Sequence, residues 1–423
     1  MIELATLKQV ILEQAQIRLP EDYVPRAMMT NVQTLSQTGQ VMVLTGLRRV
    51  GKSTLMQALR HAQGHTHYYL NFDDDRLVRF ELEDFQVLLE LFLEFYGEED
   101  TFYFDEIKNI PQWERFIRRL HDEGKRIFIT GSNATLFSKE LGTRLTGRYV
   151  QIEVLPFSFQ EFLNYQKIEA PNLERVTTVK KAEIKKQFNA FYKIGGIPQY
   201  IRKQKIEILQ GLYESVLYRD IIARYRLTNE RPIKELVYYL ASNIGKDVSF
   251  NALRKLLGLG SATTVSEYCH HLADSYLCFF INRYDVSLKK QMNTSKKVYF
   301  IDAGLAQSIG FRFSEDRGRL LENMVYLALR RFHGPEIYFY REDKECDFLL
   351  RKGNHIEAVI QVCADLENAQ TKLREFDGLI AAMKAFGLTK GLILTENQAG
   401  NETVVREDHS FYIEIMPIWQ WLL

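Results

Sequence analysis

The segment Gly46-Leu47-Arg48-Arg49-Val50-Gly51-Lys52-Ser53-Thr54 constrains this chain more than any other, because it fits GxxxxGK[ST] at every fixed position. It follows the apolar run Val41-Met42-Val43-Leu44 and precedes a helical run, Leu55–Arg60. That strand–loop–helix setting is what gives the pattern physical meaning. Glycines let successive backbone N–H groups curl around phosphate oxygens, and the helix that follows adds the positive end of its dipole. Lys52 brings a point charge for β- and γ-phosphates, and the Ser53 hydroxyl is a ligand for Mg²⁺. Gly46, Arg48, Arg49, Val50, Gly51, Lys52, Ser53 and Thr54 are therefore the expected nucleotide-binding residues, with ATP and Mg²⁺ as the expected ligands.

A second apolar run, Thr101-Phe102-Tyr103-Phe104, ends in Asp105-Glu106. Two carboxylates at the C-terminal end of a strand are what such a phosphate loop requires: Asp105 to hold Mg²⁺ through water, Glu106 to polarise the attacking water as base. The next strand-like run, Arg126–Thr130, leads into Gly131-Ser132-Asn133. A polar residue there would stand between the nucleotide and Glu106 and orient the water. Thr130, Ser132 and Asn133 are equal candidates, and a helix N-cap is the competing role for Ser132. Arg144 and Arg148 are the best-placed arginines to stabilise transition-state charge, from their own or a neighbouring subunit. A surface ion pair explains each nearly as well. Asp73 and Asp74, after a strand read as His67–Asn71, fit helix capping as well as ligand binding.

Length and charge bound the rest. A chain of 423 residues is too long for one core. Its net charge of +1 gives no global pull toward nucleic acid or an anionic membrane. The four cysteines, Cys269, Cys278, Cys346 and Cys363, show no metal-binding spacing. No signal peptide and no run of about 20 apolar residues is read, so a cytoplasmic protein without membrane contact is expected. From Val41 to about Val154, strand and helix patterns alternate, which implies a parallel sheet with helices on both faces. The pattern then turns helical, broken at Gly195-Gly196-Ile197-Pro198. It closes with a helix, three short strands, a helix and a strand at Gly391–Thr395.

The runs "GLRRVGKSTL", "YFDEIKNIPQWERFIRRL", "ITGSNATLFSKEL" and "LTGRYVQIEVLPFSFQEF" resemble the bacterial and archaeal AAA+-type ATPases. So do the later "IGGIPQYI", "YRDII", "KKVYFIDAGLA", "GRLLENMVYLAL" and "KECDFLL". The resemblance extends over nearly the whole chain from about Arg26. It implies an α/β architecture: an AAA+-type P-loop domain over 1–155, a helical lid or linker over 156–215, a winged-helix-like domain over 216–315, and a restriction-endonuclease-like α/β domain over 316–423.

In the middle part, a helix at Phe250–Leu257, a turn and a second helix at Thr264–Leu272 precede strand-like Tyr276–Tyr284, the order of a helix-turn-helix with a wing. Arg254, Lys255, His270 and His271 could approach a duplex, yet the second helix carries Glu267 and Asp274 and no Arg or Lys. A module that packs the ATPase to the tail is the competing reading. In the tail, Glu322 and Asp347 stand where a restriction-nuclease-like fold places metal-binding carboxylates. Gln361 replaces the third carboxylate and Cys363 the lysine, so a degenerate domain without metal-dependent cleavage is expected. The sequence thus points to a Mg·ATP-dependent ATPase, expected to be a homo-oligomer. Hydrolysis would drive conformational work on a partner, with DNA or another nucleic acid the leading candidate. The alternative is a nucleotide-dependent switch or scaffold acting through protein contacts.

Overall fold

A computed structural model of the chain describes residues 1–64, 68–132, 145, 147–171, 175–310, 317–407 and 409–423. Two compact units result, one of Met1–Leu155 with Asp274–Tyr276, the other of Pro156–Ala273 with Leu277–Leu423.

The first unit is built on a parallel sheet of five strands in the order β2-β3-β4-β1-β5. They are β1 (Val41–Thr45), β2 (Tyr69–Asn71), β3 (Thr101–Asp105), β4 (Arg126–Gly131) and β5 (Tyr149–Glu153). Strands β1 and β3 are buried along their whole length, as expected where helices cover both faces of a parallel sheet. The flanking helices earn their places by apolar spacing. Helix α1 (Leu4–Ala15) buries Leu7, Val10, Ile11 and Gln14 on one face. Helices α2 (Met29–Ser36) and α3 (Lys52–Gln63) bracket β1 in the chain. Helix α4 (Asp84–Tyr96) buries Phe85, Leu88, Leu91 and Phe92, and α5 (Trp113–Asp122) buries Trp113, Phe116, Ile117 and Leu120. Their aromatic rings interlock with the sheet; Phe85 stacks on Phe116 at 4.1 Å.

The second unit opens with helices. The helix Phe159–Tyr165 starts in a capping box, Ser158 accepting from the Glu161 amide and Glu161 from that of Ser158. The helix Thr178–Ile194 ends at Gly195-Gly196, which meets the start of the helix Ala303–Ile309 at close quarters. Asp302 caps that helix through Leu305 and also accepts from the Gly196 amide at 2.6 Å. A Cβ on Gly304 would lie 2.0 Å from the Ile194 carbonyl oxygen, and one on Gly196 would lie 2.3 Å from that of Phe157. The "IGGIP" and "IDAGLA" runs therefore form one backbone-to-backbone joint that only glycine permits. Burial raises the Asp302 carboxyl to about 6, against the pull of the amides that donate to it.

The rest of this unit is organised by a nine-stranded sheet, in the order β13-β14-β12-β11-β10-β9-β7-β8-β6. These strands are β6 (Asp247–Val248), β7 (Cys278–Arg283), β8 (Lys296–Phe300), β9 (Ile337–Arg341), β10 (Glu345–Lys352), β11 (His355–Cys363), β12 (Lys390–Thr395), β13 (Gly400–Arg406) and β14 (His409–Pro417). The antiparallel pair β7–β8, whose connection holds the helix Leu288–Asn293, joins the tail strands through the parallel pair β7–β9, with Asn282 opposite Tyr338 and Arg283 opposite Phe339. The helices Phe250–Leu256 and Ala262–Asp274 precede that pair in the chain. Among the described residues, no helix is long and apolar enough to cross a membrane.

Candidate active site

The phosphate loop leaves the C-terminal end of β1 and feeds directly into α3, whose N-cap is Gly51. Gly46 must be glycine twice over: its φ is +142°, and a Cβ there would sit 2.3 Å from the Val154 carbonyl oxygen. Lys52 lies inside the loop, its Nζ donating to the carbonyls of Gly46 at 3.0 Å and Leu47 at 2.9 Å. Burial brings its ammonium down to about 8, with Glu106 opposing and nearby Lys108 adding to the fall. Arg26, which carries no motif signal, braces the loop, donating to Val50 O at 3.0 Å and Leu155 O at 2.5 Å.

Strand β4 lies between β1 and β3, so the Asp105-Glu106 end is two strands from the loop. At about 4.8 Å per strand this leaves roughly 10 Å, room for a phosphoryl group and a water. Thr130 fixes the β3 terminus: its hydroxyl donates to Asp105 and accepts from the Glu106 amide at 3.0 Å. Asp105 also hydrogen-bonds the Ser53 side chain, and burial raises its carboxyl, with Thr130 and Ser53 opposing. The hydroxyl of Ser53 beside a buried carboxylate is an oxygen donor set that suits Mg²⁺. Glu106 has a left-handed backbone, φ 51°, at the start of the turn Ile107–Asn109. Burial pushes its carboxyl up, but Lys108, Lys52 and Arg48 more than offset this and leave it below its ordinary value.

The three polar candidates at the end of β4 thus separate. The Thr130 hydroxyl is committed to Asp105 and Glu106. Ser132 is buried on the site's side and accepts from Lys108 Nζ at 2.5 Å. Asn133 lies outside the described residues, as does Arg144. Arg148 precedes β5, and its carbonyl accepts from Val41 N, at the opposite end of β1 from the phosphate loop. That is about 16 Å of strand, so it cannot serve the loop of its own subunit. Its guanidinium instead meets Asp122 at 3.1 Å, on the surface. Asp74 is a cap: it accepts from the Arg76 amide and side chain, and those bonds pull its carboxyl down to about 2.

A second cluster lies in the tail. Glu322, Asp347, Gln361 and Cys363 line one cleft of about 840 Å³. Lys297 of β8, which the sequence does not single out, also lines it, together with Arg319, Lys344 and Arg374. The Lys297 ammonium, on a side chain 2% exposed, reaches Asp347 at 2.7 Å, Glu345 at 2.7 Å and Glu322 at 3.0 Å. Burial opposes that charge, but the carboxylates, Asp347 foremost, hold the ammonium well above its ordinary range. The other Asp347 oxygen accepts from the Val362 amide at 3.0 Å. Gln361 is turned to the protein, accepting from the Asp347 amide at 3.1 Å and donating to Glu375 at 2.5 Å. Lys297 stands in the resemblance-bearing run "KKVYFIDAGLA", but only the pairing of β7 with β9 brings β8 to the cleft.

Comparison with known proteins gives three matched regions. Residues 38–163 match the family model described as an AAA domain. Residues 185–316 and 317–421 match two domains of unknown function, DUF8612 and DUF4143. The uncharacterized protein MJ1544 of Methanocaldococcus jannaschii is 35% identical over 399 residues, which cover 91% of this chain and 88% of that protein. An uncharacterized protein of Haemophilus influenzae is 30% identical over 336 residues, 75% of this chain and 81% of its own length. Among solved structures, the Walker-type ATPase PABY2304 of Pyrococcus abyssi superposes with a TM-score of 0.46 at 16% identity, over 70% of this chain and 99% of its own. A P-loop site in an AAA domain, followed by the same two uncharacterised domains, is what the chain consists of, and it belongs to the family of MJ1544.

Proposed function

We propose that the chain hydrolyses Mg·ATP at the P-loop and couples the reaction to conformational work on a partner, with nucleic acid the favoured class. The observation that carries hydrolysis, as distinct from binding alone, is Glu106 beside Asp105, with Thr130 holding both. Lys52 and the loop amides bind the phosphates, Ser53 and Asp105 hold Mg²⁺, and Ser132 orients the water that Glu106 deprotonates. Bound Mg²⁺ supplies charge neutralisation at the β- and γ-phosphates.

The order of two helices before the antiparallel pair β7–β8 supports a winged-helix-like reading of 216–315, and the converging Glu322, Asp347 and Gln361 support a restriction-nuclease-like reading of 316–423. The rival reading, a switch or scaffold, draws on the two histidines of the presumed reading helix. His271 stacks on Tyr225 at 3.5 Å, and His270 bonds its own helix at Ser266 O, 2.7 Å. Of the four candidates, Arg254 and Lys255 are left to meet a duplex. ATP turnover measured alone and with single-stranded, duplex and branched DNA separates the readings. Stimulation by DNA supports remodelling; an unchanged slow rate supports the switch. The same DNA should stay uncut with Mg²⁺ or Mn²⁺, and cleavage lost in Asp347→Ala would promote a nuclease.

Because Arg148 stands at the far end of its own sheet, it can act only across a subunit boundary. Specific activity should then rise with protein concentration, and Arg148→Ala should bind ATP normally but turn over about 10³-fold more slowly. A monomer fully active in sedimentation-matched assays rules this role out.

A further inference from the structure

We propose that Lys108 is a second catalytic cation of this site, parked between Glu106 and Ser132 until ATP arrives and then drawn onto the γ-phosphate, which frees Glu106 to act on water. The inference rests on the reading of the site as an ATP hydrolase and assigns a role that the P-loop pattern does not contain.

The placement begins in the backbone. Left-handed Glu106 turns the chain straight into Ile107–Asn109, which folds the side chain two residues onward back beside the carboxylate. Lys108 Nζ lies 3.3 Å from Glu106 Oε2 and 2.5 Å from Ser132 Oγ, and the two charged side chains are only 4% and 15% exposed. An ammonium this buried is costly unless it is paired, and here its pairing disables a neighbour. A carboxylate oxygen that already accepts from an ammonium is a poor acceptor for a water proton.

Charge explains what would move it. Lys108, Lys52 and Arg48 act on Glu106, and Asp105 is the other acid among them. Among the described residues, the ammoniums of Lys52 and Lys108 both act on Glu106, and a triphosphate brings further negative charge to the same end of the sheet. Adenosine diphosphate ends before the last phosphate, so the γ-phosphate is the group that competes with Glu106 for Lys108. In the reaction the water oxygen bonds to the γ-phosphorus as the bond to the bridging oxygen breaks. That electron pair leaves with ADP, and the water proton passes to Glu106. Lys108 keeps its protons and contributes charge and hydrogen bonds to the equatorial oxygens. Ser132 holds the ammonium in reach throughout.

The test compares equilibrium binding of Mg·ADP and of the non-hydrolysable analogue AMP-PNP in the full-length protein, together with single-turnover hydrolysis. Lys108→Gln should keep ADP affinity within about twofold and lose AMP-PNP affinity about tenfold, since a charge-assisted bond to phosphate is removed. Its single-turnover rate should fall about 10²-fold, while Lys108→Arg restores most of the analogue affinity. A Lys108→Gln protein that loses both nucleotides equally, or neither, assigns Lys108 a structural role and overturns the proposal. Wild-type protein that fails to hydrolyse ATP would sink the hydrolase reading instead, and the ADP-to-analogue ratio would still decide whether Lys108 meets the γ-phosphate.

Discussion

Glu106→Gln should bind ATP at least as tightly as the parent protein, because Lys108 loses its competing carboxylate, and hydrolyse it about 10²–10⁴-fold more slowly, the usual worth of a positioned general base. The amide keeps the shape of the side chain but cannot take the proton. Thr130 bonds the Glu106 backbone amide rather than its carboxylate, so the β3 terminus should stay in place. Lys52→Ala, by contrast, should lose nucleotide binding itself, because the ammonium inside the loop is removed while its backbone cradle remains. Equilibrium binding and steady-state turnover on both variants check the pair. A Glu106→Gln protein that turns over at the parent rate would remove Glu106 from the chemistry.

Lys297→Met should destabilise the second unit by about 3–5 kcal/mol, the cost of stripping the counter-charge from buried acids. The two buried carboxylates, Glu322 and Asp347, share this ammonium, whereas half-buried Glu345 meets it but also pairs with Arg341. Urea unfolding followed at a probe in the tail gives the number. The pH dependence has a defined sign. Burial, helped by Asp347, raises Glu322 from its ordinary 4.5 to about 7. The folded state therefore holds a proton there that the unfolded state has released. Stability from this group is fully present below about 4.5 and declines as the pH rises toward 7. The deficit of Lys297→Met should be greatest above that window and narrow on acidification, as protonation removes the repulsion. A loss below 1 kcal/mol at neutral pH would show that the ammonium does not neutralise the cleft.

The first unit was largely legible in the sequence because its signals are local. Strands expected at Val41–Thr45, Thr101–Phe104 and Arg126–Thr130 appear within a residue of those limits. The loop glycines declare themselves by spacing. What local pattern could not convey is which neighbours fill the site. Lys108 sits in plain view two residues after Glu106, and its approach depends on a left-handed turn that no glycine announces. Arg26 reaches Val50 from a segment without motif. In the second unit the hairpin β13–β14 went unread, since β13 alternates polar residues on an open edge and offers no apolar run. Lys297 was missed for a deeper reason. Its importance depends on the pairing of β7 with β9, a contact between strands more than fifty residues apart in sequence.

That pairing also bears on heredity. The frontier between the two uncharacterised domains falls at residues 316 and 317, yet the hydrogen-bonded ladder runs across it. A gene fragment beginning at Arg317 would encode β9 without its β7 partner, leaving a bare edge that invites pairing with another chain. It would also encode Glu322, Glu345 and Asp347 without their lysine. Such a piece is poorly suited to travel alone or to be grafted onto a foreign neighbour. What reads in sequence as two exchangeable modules should therefore be passed on, and should fold, as one.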